Sequence, residues 1–116
     1  MREYCVIAVD FDGTLVSGMR WPEVGEANLE LIKKLKERKA IGDKLILWTC
    51  RSGEALALAV AWSAEQGLEF DAVNDNLPEV VEVFGNNSRK ISCDYYIDDK
   101  SVLPENFPSV IANLAT

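Results

Sequence analysis

The sequence predicts a three-layer α/β domain of Rossmann-like type, a parallel sheet with helices on both faces. Three observations predict it. Apolar, β-branched runs alternate along the chain with stretches of helical period. Those runs are apolar throughout rather than every second residue, as strands buried on both faces require. The 116 residues, 48% of them hydrophobic, suffice for one domain over 1–116 with a real core and are too few for two.

Tyr4-Cys-Val-Ile-Ala-Val9 is the first such run and predicts the first strand. Residues 26–39 switch to a helical period, with Leu31, Ile32 and Leu35 on one stripe and Glu30 paired to Lys34 at i,i+4. Gly42-Asp43 marks a turn, and Lys44-Leu-Ile-Leu-Trp48 predicts the second strand. Ser52 is the expected N-cap of a helix over 54–66, which is apolar nearly all round and so expected to be largely buried. Gly67 fits its stop. Phe70-Asp-Ala-Val73 predicts a short third strand, residues 79–84 a short helix entered through Pro78, Asp94-Tyr-Tyr-Ile97 a fourth strand and Val110-Ile111 a fifth. Strands alternating with helices imply right-handed βαβ crossovers.

Composition removes several chemistries. There is no His, which excludes Ser-His-Asp and Cys-His catalysis and His-ligated zinc. The three Cys, at 5, 50 and 93, are too few for a four-Cys zinc site and form no C-x-x-C. They read as structural thiols, and with no secretory signal before them a cytoplasmic setting is expected. No apolar run approaches the length that crosses a membrane. The net charge is −7; residues 1–58 hold nine acids and nine bases, residues 59–116 ten acids and three bases. That argues against nucleic acid as a stable partner, because a phosphate backbone wants a basic face. A small phosphorylated substrate, reached through a metal and a local base, stays open.

In a doubly wound sheet the ligand binds outside the carboxyl ends of the strands. The first strand ends in Asp10-Phe11-Asp12-Gly13-Thr14. A spacing of two places both carboxylates on one side of an extended chain, about 7 Å apart at Cα. Like charges so close need a shared proton or a cation, and Mg²⁺ suits hard oxygen donors. On spacing alone, an acidic turn ending a strand fits equally well. The second strand ends in Thr49-Cys50-Arg51-Ser52, entering a helix, where hydroxyls and free N–H groups make an anion site and Arg51 could add a bidentate contact. Capping by Ser52 with a solvated Arg51 is the plainer reading. The fourth strand ends in Asp98-Asp99-Lys100, with Arg89 and Lys90 just before it.

Together these residues resemble the four motifs of the haloacid dehalogenase (HAD) superfamily of phosphohydrolases and phosphotransferases. Asp10-Phe11-Asp12-Gly13-Thr14 is similar to the first motif, Thr49 to the second, the basic Lys90 to the third and Asp98-Asp99 to the fourth. They occur in the family's order. Lys90 lies only eight residues before Asp98, closer than the family's usual spacing, and Arg89 is its rival. The resemblance implies a HAD-like sheet of strand order 3-2-1-4(-5) in the minimal class with no cap domain, only a short flap over about 15–26. It also implies a Mg²⁺-dependent phosphomonoester hydrolase working through an aspartyl-phosphate. Asp10 would be the nucleophile and Asp12 the general acid and then base. Asp10, the Asp12 main-chain carbonyl, Asp98 and Asp99 would hold Mg²⁺. Thr49, Lys90 and, in the phosphate or leaving-group region, Arg51 would bind the phosphate.

Specificity is not written in these motifs. With no cap, the open site must be covered by the flap (Met19, Arg20, Trp21), by Asn74-Asp75-Asn76, by an oligomer partner or by a large substrate. Trp21 reads as a lid packed on the core, and Asn74 and Asn76 as turn residues. Two other classes compete. A receiver-like regulatory domain also carries an acidic cluster, a Thr and a Lys, but lacks an acid two residues after its phosphorylated Asp. An inactive scaffold keeping the motifs differs only in an assay.

Overall fold

The computed structural model describes residues 3–18 and 20–114; Met19, expected in the flap, lies outside them, as do the chain ends. β1 (Val6–Val9) is buried at every position. It pairs in parallel with β4 (Lys44–Leu47) on one side and β6 (Tyr95–Ile97) on the other. β5 (Ala72–Val73) pairs in parallel with β4, which gives the sheet order β5-β4-β1-β6. The architecture is α/β, with a parallel four-stranded, Rossmann-like sheet.

The alternation of a strand sorts β1 onto two cores. Ile7 and Val9 face α1 (Leu29–Ala40) and α2 (Gly53–Glu65), packing with Ile32, Leu35, Leu45, Leu47, Ala59 and Leu68. Phe11 continues this core beyond the strand, its ring meeting Trp62 edge-on with centroids 5.7 Å apart. Val6 and Ala8 face the other way, onto Ile46, Leu77 and Ile91, with Val80 of α3 (Pro78–Phe84) beside them. A chain buried on both sides has no place for a polar residue until it leaves the sheet, so the first polar side chain after Val9 falls at the carboxyl edge.

The amino edge of the sheet is fastened by aspartates. Asp43 accepts from the Cys5 N–H at 2.9 Å and from Arg38 Nε at 2.5 Å. Asp71 accepts from the Leu45 N–H at 2.8 Å and from Lys39 Nζ at 3.1 Å. Asp94 accepts from the Val6 N–H at 2.7 Å. Each carries the ladder one step past the strand it precedes.

The structure corrects several elements. Val110-Ile111 is not a strand: it lies inside α4 (Phe107–Leu114), which follows a 3₁₀ turn over Pro104–Asn106. Pro108 would leave a gap in a ladder, whereas the first helical turn needs no donor there. Helix α1 starts at Leu29 rather than 26, because β3 (Glu26–Ala27) pairs antiparallel with β2 (Val16–Ser17) to form the flap. Asn28 then caps the helix, accepting from the Leu31 N–H at 3.2 Å. Ser52 occupies the N-cap position of α2 without a side-chain cap bond. That helix buries only Ala59 and Ser63 and leaves Leu58 exposed, so it is less enclosed than its composition suggests. Among the described residues no helix is long and apolar enough to cross a membrane.

Candidate active site at the carboxyl edge of the sheet

β1 and β6 are neighbours, and their carboxyl ends deliver three acids to one point. The Asp10 N–H donates to the Ile97 carbonyl at 2.9 Å, continuing the ladder one step past both strands. Asp10, Asp98 and Asp99 each offer a carboxylate oxygen, all within 4.8 Å of one another. The turn after Asp10 is tight: the N–H groups of Thr14, Leu15 and Val16 converge on the Phe11 carbonyl at 3.2, 2.9 and 3.1 Å. Gly13 takes φ +84° in this turn, and a Cβ there would collide with the Asp99 carboxylate. Glycine is therefore required twice over, for its backbone angle and for the approach of Asp99. The Lys100 N–H donates to Asp98 Oδ1 at 2.9 Å and fixes the second acid.

Burial pushes the Asp10 carboxyl above the ordinary carboxylate range. A main-chain hydrogen bond at Phe11 opposes this, and repulsion from Asp98, Asp99 and Asp12 adds to it. Three hard oxygen donors with no base among them suit a divalent cation such as Mg²⁺. Oxygens sharing one Mg²⁺ lie at most about 4.2 Å apart. The three carboxylates, their oxygens within 4.8 Å of one another, are of the donor type that such an ion takes.

Asp12, expected to join this cluster, turns its carboxylate elsewhere. Arg51 Nε donates to its Oδ2 at 2.8 Å and Arg51 Nη2 to its Oδ1 at 2.9 Å, a bidentate pair. Arg51 itself is 1% exposed. Its Nη1 donates to the carbonyls of Pro22 and Ala55 at 2.7 and 3.0 Å, and its Nη2 also to that of Glu23 at 3.2 Å. All five guanidinium donors are used. The plane lies between the rings of Phe11 and Trp21, 4.9 and 4.7 Å from their centroids. Arg51 is thus neither solvated nor free for a phosphate, and the expectation that it binds one is corrected. It connects Asp12, the flap and the first turn of α2.

Thr49 sits where the second strand run predicts, at the carboxyl end of β4. Its N–H donates to Asn74 Oδ1 at 2.8 Å, and its Oγ1 accepts from the Arg51 N–H at 3.1 Å, which leaves its own proton to donate. Asn74 takes φ +52°, a left-handed angle Asn tolerates, and its Nδ2 reaches the Arg51 carbonyl at 3.3 Å. It is a turn residue that also shapes the Thr49 loop.

The solved structure of a conserved protein from Bacteroides thetaiotaomicron is similar over 98% of this chain and 94% of its own, at 38% identity and a TM-score of 0.73. The chain belongs to that protein's family. No protein-family model matches it, and no curated protein does.

Two further features adjoin the acids. A cavity of about 540 Å³ opens between Asp12, Gly13, Ser17, Trp21, Cys50, Asp99 and Lys100. Trp21 is 61% exposed on its wall, so it is not the lid packed on the core that the sequence suggests. Lys100 was missed as a site residue, although its place directly after Asp98-Asp99 puts it at a strand end. Lys90, expected beside the carboxylates, is exposed, and among the described residues no hydrogen bond or ion pair joins it to them. Its charge acts instead on the Cys93 thiol, which burial pushes up. Arg89 faces a separate cavity of about 400 Å³ with Trp48, Asn74 and Asp75. The loop carrying both bases is held by the buried Asn76, which donates to Asn87 Oδ1 and the Ser88 carbonyl at 2.9 and 3.0 Å and accepts from the Ser92 N–H at 2.6 Å.

Proposed function

We propose that the protein is a Mg²⁺-dependent phosphomonoester hydrolase of HAD type that works through an aspartyl-phosphate on Asp10. One observation carries this reading: Asp10, Asp98 and Asp99 converge at the ends of adjacent parallel strands, with a second carboxylate, Asp12, held two residues beyond Asp10. The resemblance of Asp10-Phe11-Asp12-Gly13-Thr14 to the first HAD motif supports it. Asp10, Asp98 and Asp99, with the Asp12 main-chain carbonyl, would hold Mg²⁺, which offsets the charge of nucleophile and phosphate and allows two anions to meet.

Asp10 Oδ forms a bond to phosphorus as the bond to the leaving oxygen breaks, and Asp12 gives that oxygen its proton. Asp12 then takes a proton from water, whose oxygen attacks the phosphorus on Asp10. The Asp10–phosphorus bond breaks, inorganic phosphate leaves and both carboxyls return to their starting state. The Thr49 hydroxyl donates to a phosphoryl oxygen. Lys100, on the cavity wall with Asp12 and Asp99, lies on the leaving-group side, and Lys90 or Arg89 would supply the distal positive charge only if their loop closed toward the acids.

The test is a panel of phosphomonoesters at neutral pH, with and without Mg²⁺. Release of inorganic phosphate that requires the metal is expected, falling below a few per cent of wild type in Asp10→Asn. Activity retained in that variant removes Asp10 as nucleophile. A non-catalytic receiver-like domain is disfavoured by Asp12, which such a domain lacks.

A further inference from the structure

Arg51 is unusual for what it joins. Its buried guanidinium bonds both oxygens of Asp12 and the flap carbonyls of Pro22 and Glu23, with the Trp21 ring against it. We infer that Arg51 is a positioning residue that makes the placement of the Asp12 carboxylate and the placement of flap residues 21–23 a single event. The inference deepens the proposed hydrolase reading and rests on it only where turnover is concerned.

The Asp12 side chain is 44% exposed, and it is ion-paired to the Arg51 side chain, which has no exposure. A half-exposed carboxylate held by one hydrogen bond swings; two parallel bonds to a rigid fork fix its plane. The fork is fixed in turn by its remaining donors, on Pro22, Glu23 and Ala55, and by Phe11 beneath it. Moving the flap takes two carbonyl acceptors from the guanidinium. Moving the guanidinium turns Asp12. Lysine, a point charge with no fork, keeps the charge and loses the geometry.

Two readouts test this. The first needs no activity: hydrogen exchange of flap amides 20–27 in wild type, Asp12→Asn and Arg51→Lys. An amide side chain offers one acceptor where the carboxylate offers two, so Asp12→Asn should open the flap although residue 12 lies outside it. Flap exchange about tenfold faster in both variants is expected. Unchanged flap exchange in Asp12→Asn overturns the coupling, whatever Arg51→Lys does and whether or not that variant folds. The second readout is the course of p-nitrophenyl phosphate hydrolysis by Arg51→Lys. Nitrophenolate leaves without a proton, so Asp10 is still phosphorylated. Asp12, once its unused proton has passed to solvent, must still take one proton from the attacking water before phosphate departs. A mispositioned Asp12 should therefore give a burst of nitrophenolate equal to the enzyme and a trapped phosphoenzyme, with steady turnover down about 100-fold. A merely structural role slows both steps together, with no burst, and overturns the positioning role. Wild type that turns over no phosphomonoester sinks the hydrolase reading, and the exchange result still decides the coupling.

Discussion

Gly13→Ala separates the backbone of the first turn from the cation site. At φ +84° an alanine costs about 1–2 kcal/mol from backbone strain. Its Cβ also meets the tip of Asp99, an exposed side chain that can swing aside. The steric part therefore falls on the position of Asp99 rather than on the fold. Metal-free stability should drop by about 1–2 kcal/mol, and by the same amount in an Asp99→Ala background. Mg²⁺ behaves differently. At a hundred times its Kd it stabilises wild type by about 2.7 kcal/mol. Displacing one of three carboxylates should weaken binding about tenfold, leaving about 1.4 kcal/mol. The assay is thermal unfolding with and without Mg²⁺ for the four chains of the cycle. The metal-induced rise in Tm should halve in Gly13→Ala and change no further when Asp99 is also removed. A wild-type Mg²⁺ response in Gly13→Ala would refute the claim that Gly13 admits Asp99 to the site.

Other outcomes follow from the same structure. A raised Asp10 carboxyl means the folded chain holds that proton more tightly than the unfolded chain, so stability is lost as pH rises through the raised value. Metal-free Asp10→Asn should thus melt above wild type at pH 7 and level with it near about pH 3, and Mg²⁺ should narrow the difference; a variant melting lower at pH 7 contradicts this. Thr14 Oγ1 is buried with no hydrogen-bond partner, so Thr14→Val should raise the unfolding free energy in urea by about 1 kcal/mol, and a loss of that size would count against it. Asn74→Ala should cost about 2–3 kcal/mol, from its left-handed angle and the orphaned Thr49 N–H, while Asn74→Gly keeps only the second part, about 1 kcal/mol; equal losses would refute the division.

The legible parts of the fold are those in which one strand or helix decides its own pattern. β1 and β4 were readable because burial on both faces writes itself as an unbroken apolar run. Asp10, Asp98 and Asp99 were readable as strand-end acids once the sheet was parallel. What stayed hidden depends on distant partners. Glu26–Ala27 looks like the start of a helix until Val16–Ser17 pairs with it. Arg51 looks solvated beside Ser52, since nothing local says that Asp12 lies 39 residues back and two flap carbonyls wait beside it. Asp12 in turn looked like a partner of Asp10 because spacing reports the side of a chain, not the rotamer. One signal was present and unread: an Asp stands immediately before β4, β5 and β6 alike, at 43, 71 and 94. Repetition at that place marks acids that fasten the sheet, as distinct from those that gather at its far edge.

Those fastenings act as the zero mark of a ruler. Asp94 grips Val6 through its own N–H, at 2.7 Å to the Val6 carbonyl, and through its carboxylate. From that mark both strands advance in step, Ile7 level with Tyr95 and Val9 with Ile97, and so Asp10 arrives level with Asp98. Side chains between the two ends can be exchanged for others of similar bulk without disturbing the count. One residue added to or removed from either strand would put its acid out of step by about 3.3 Å and onto the opposite face.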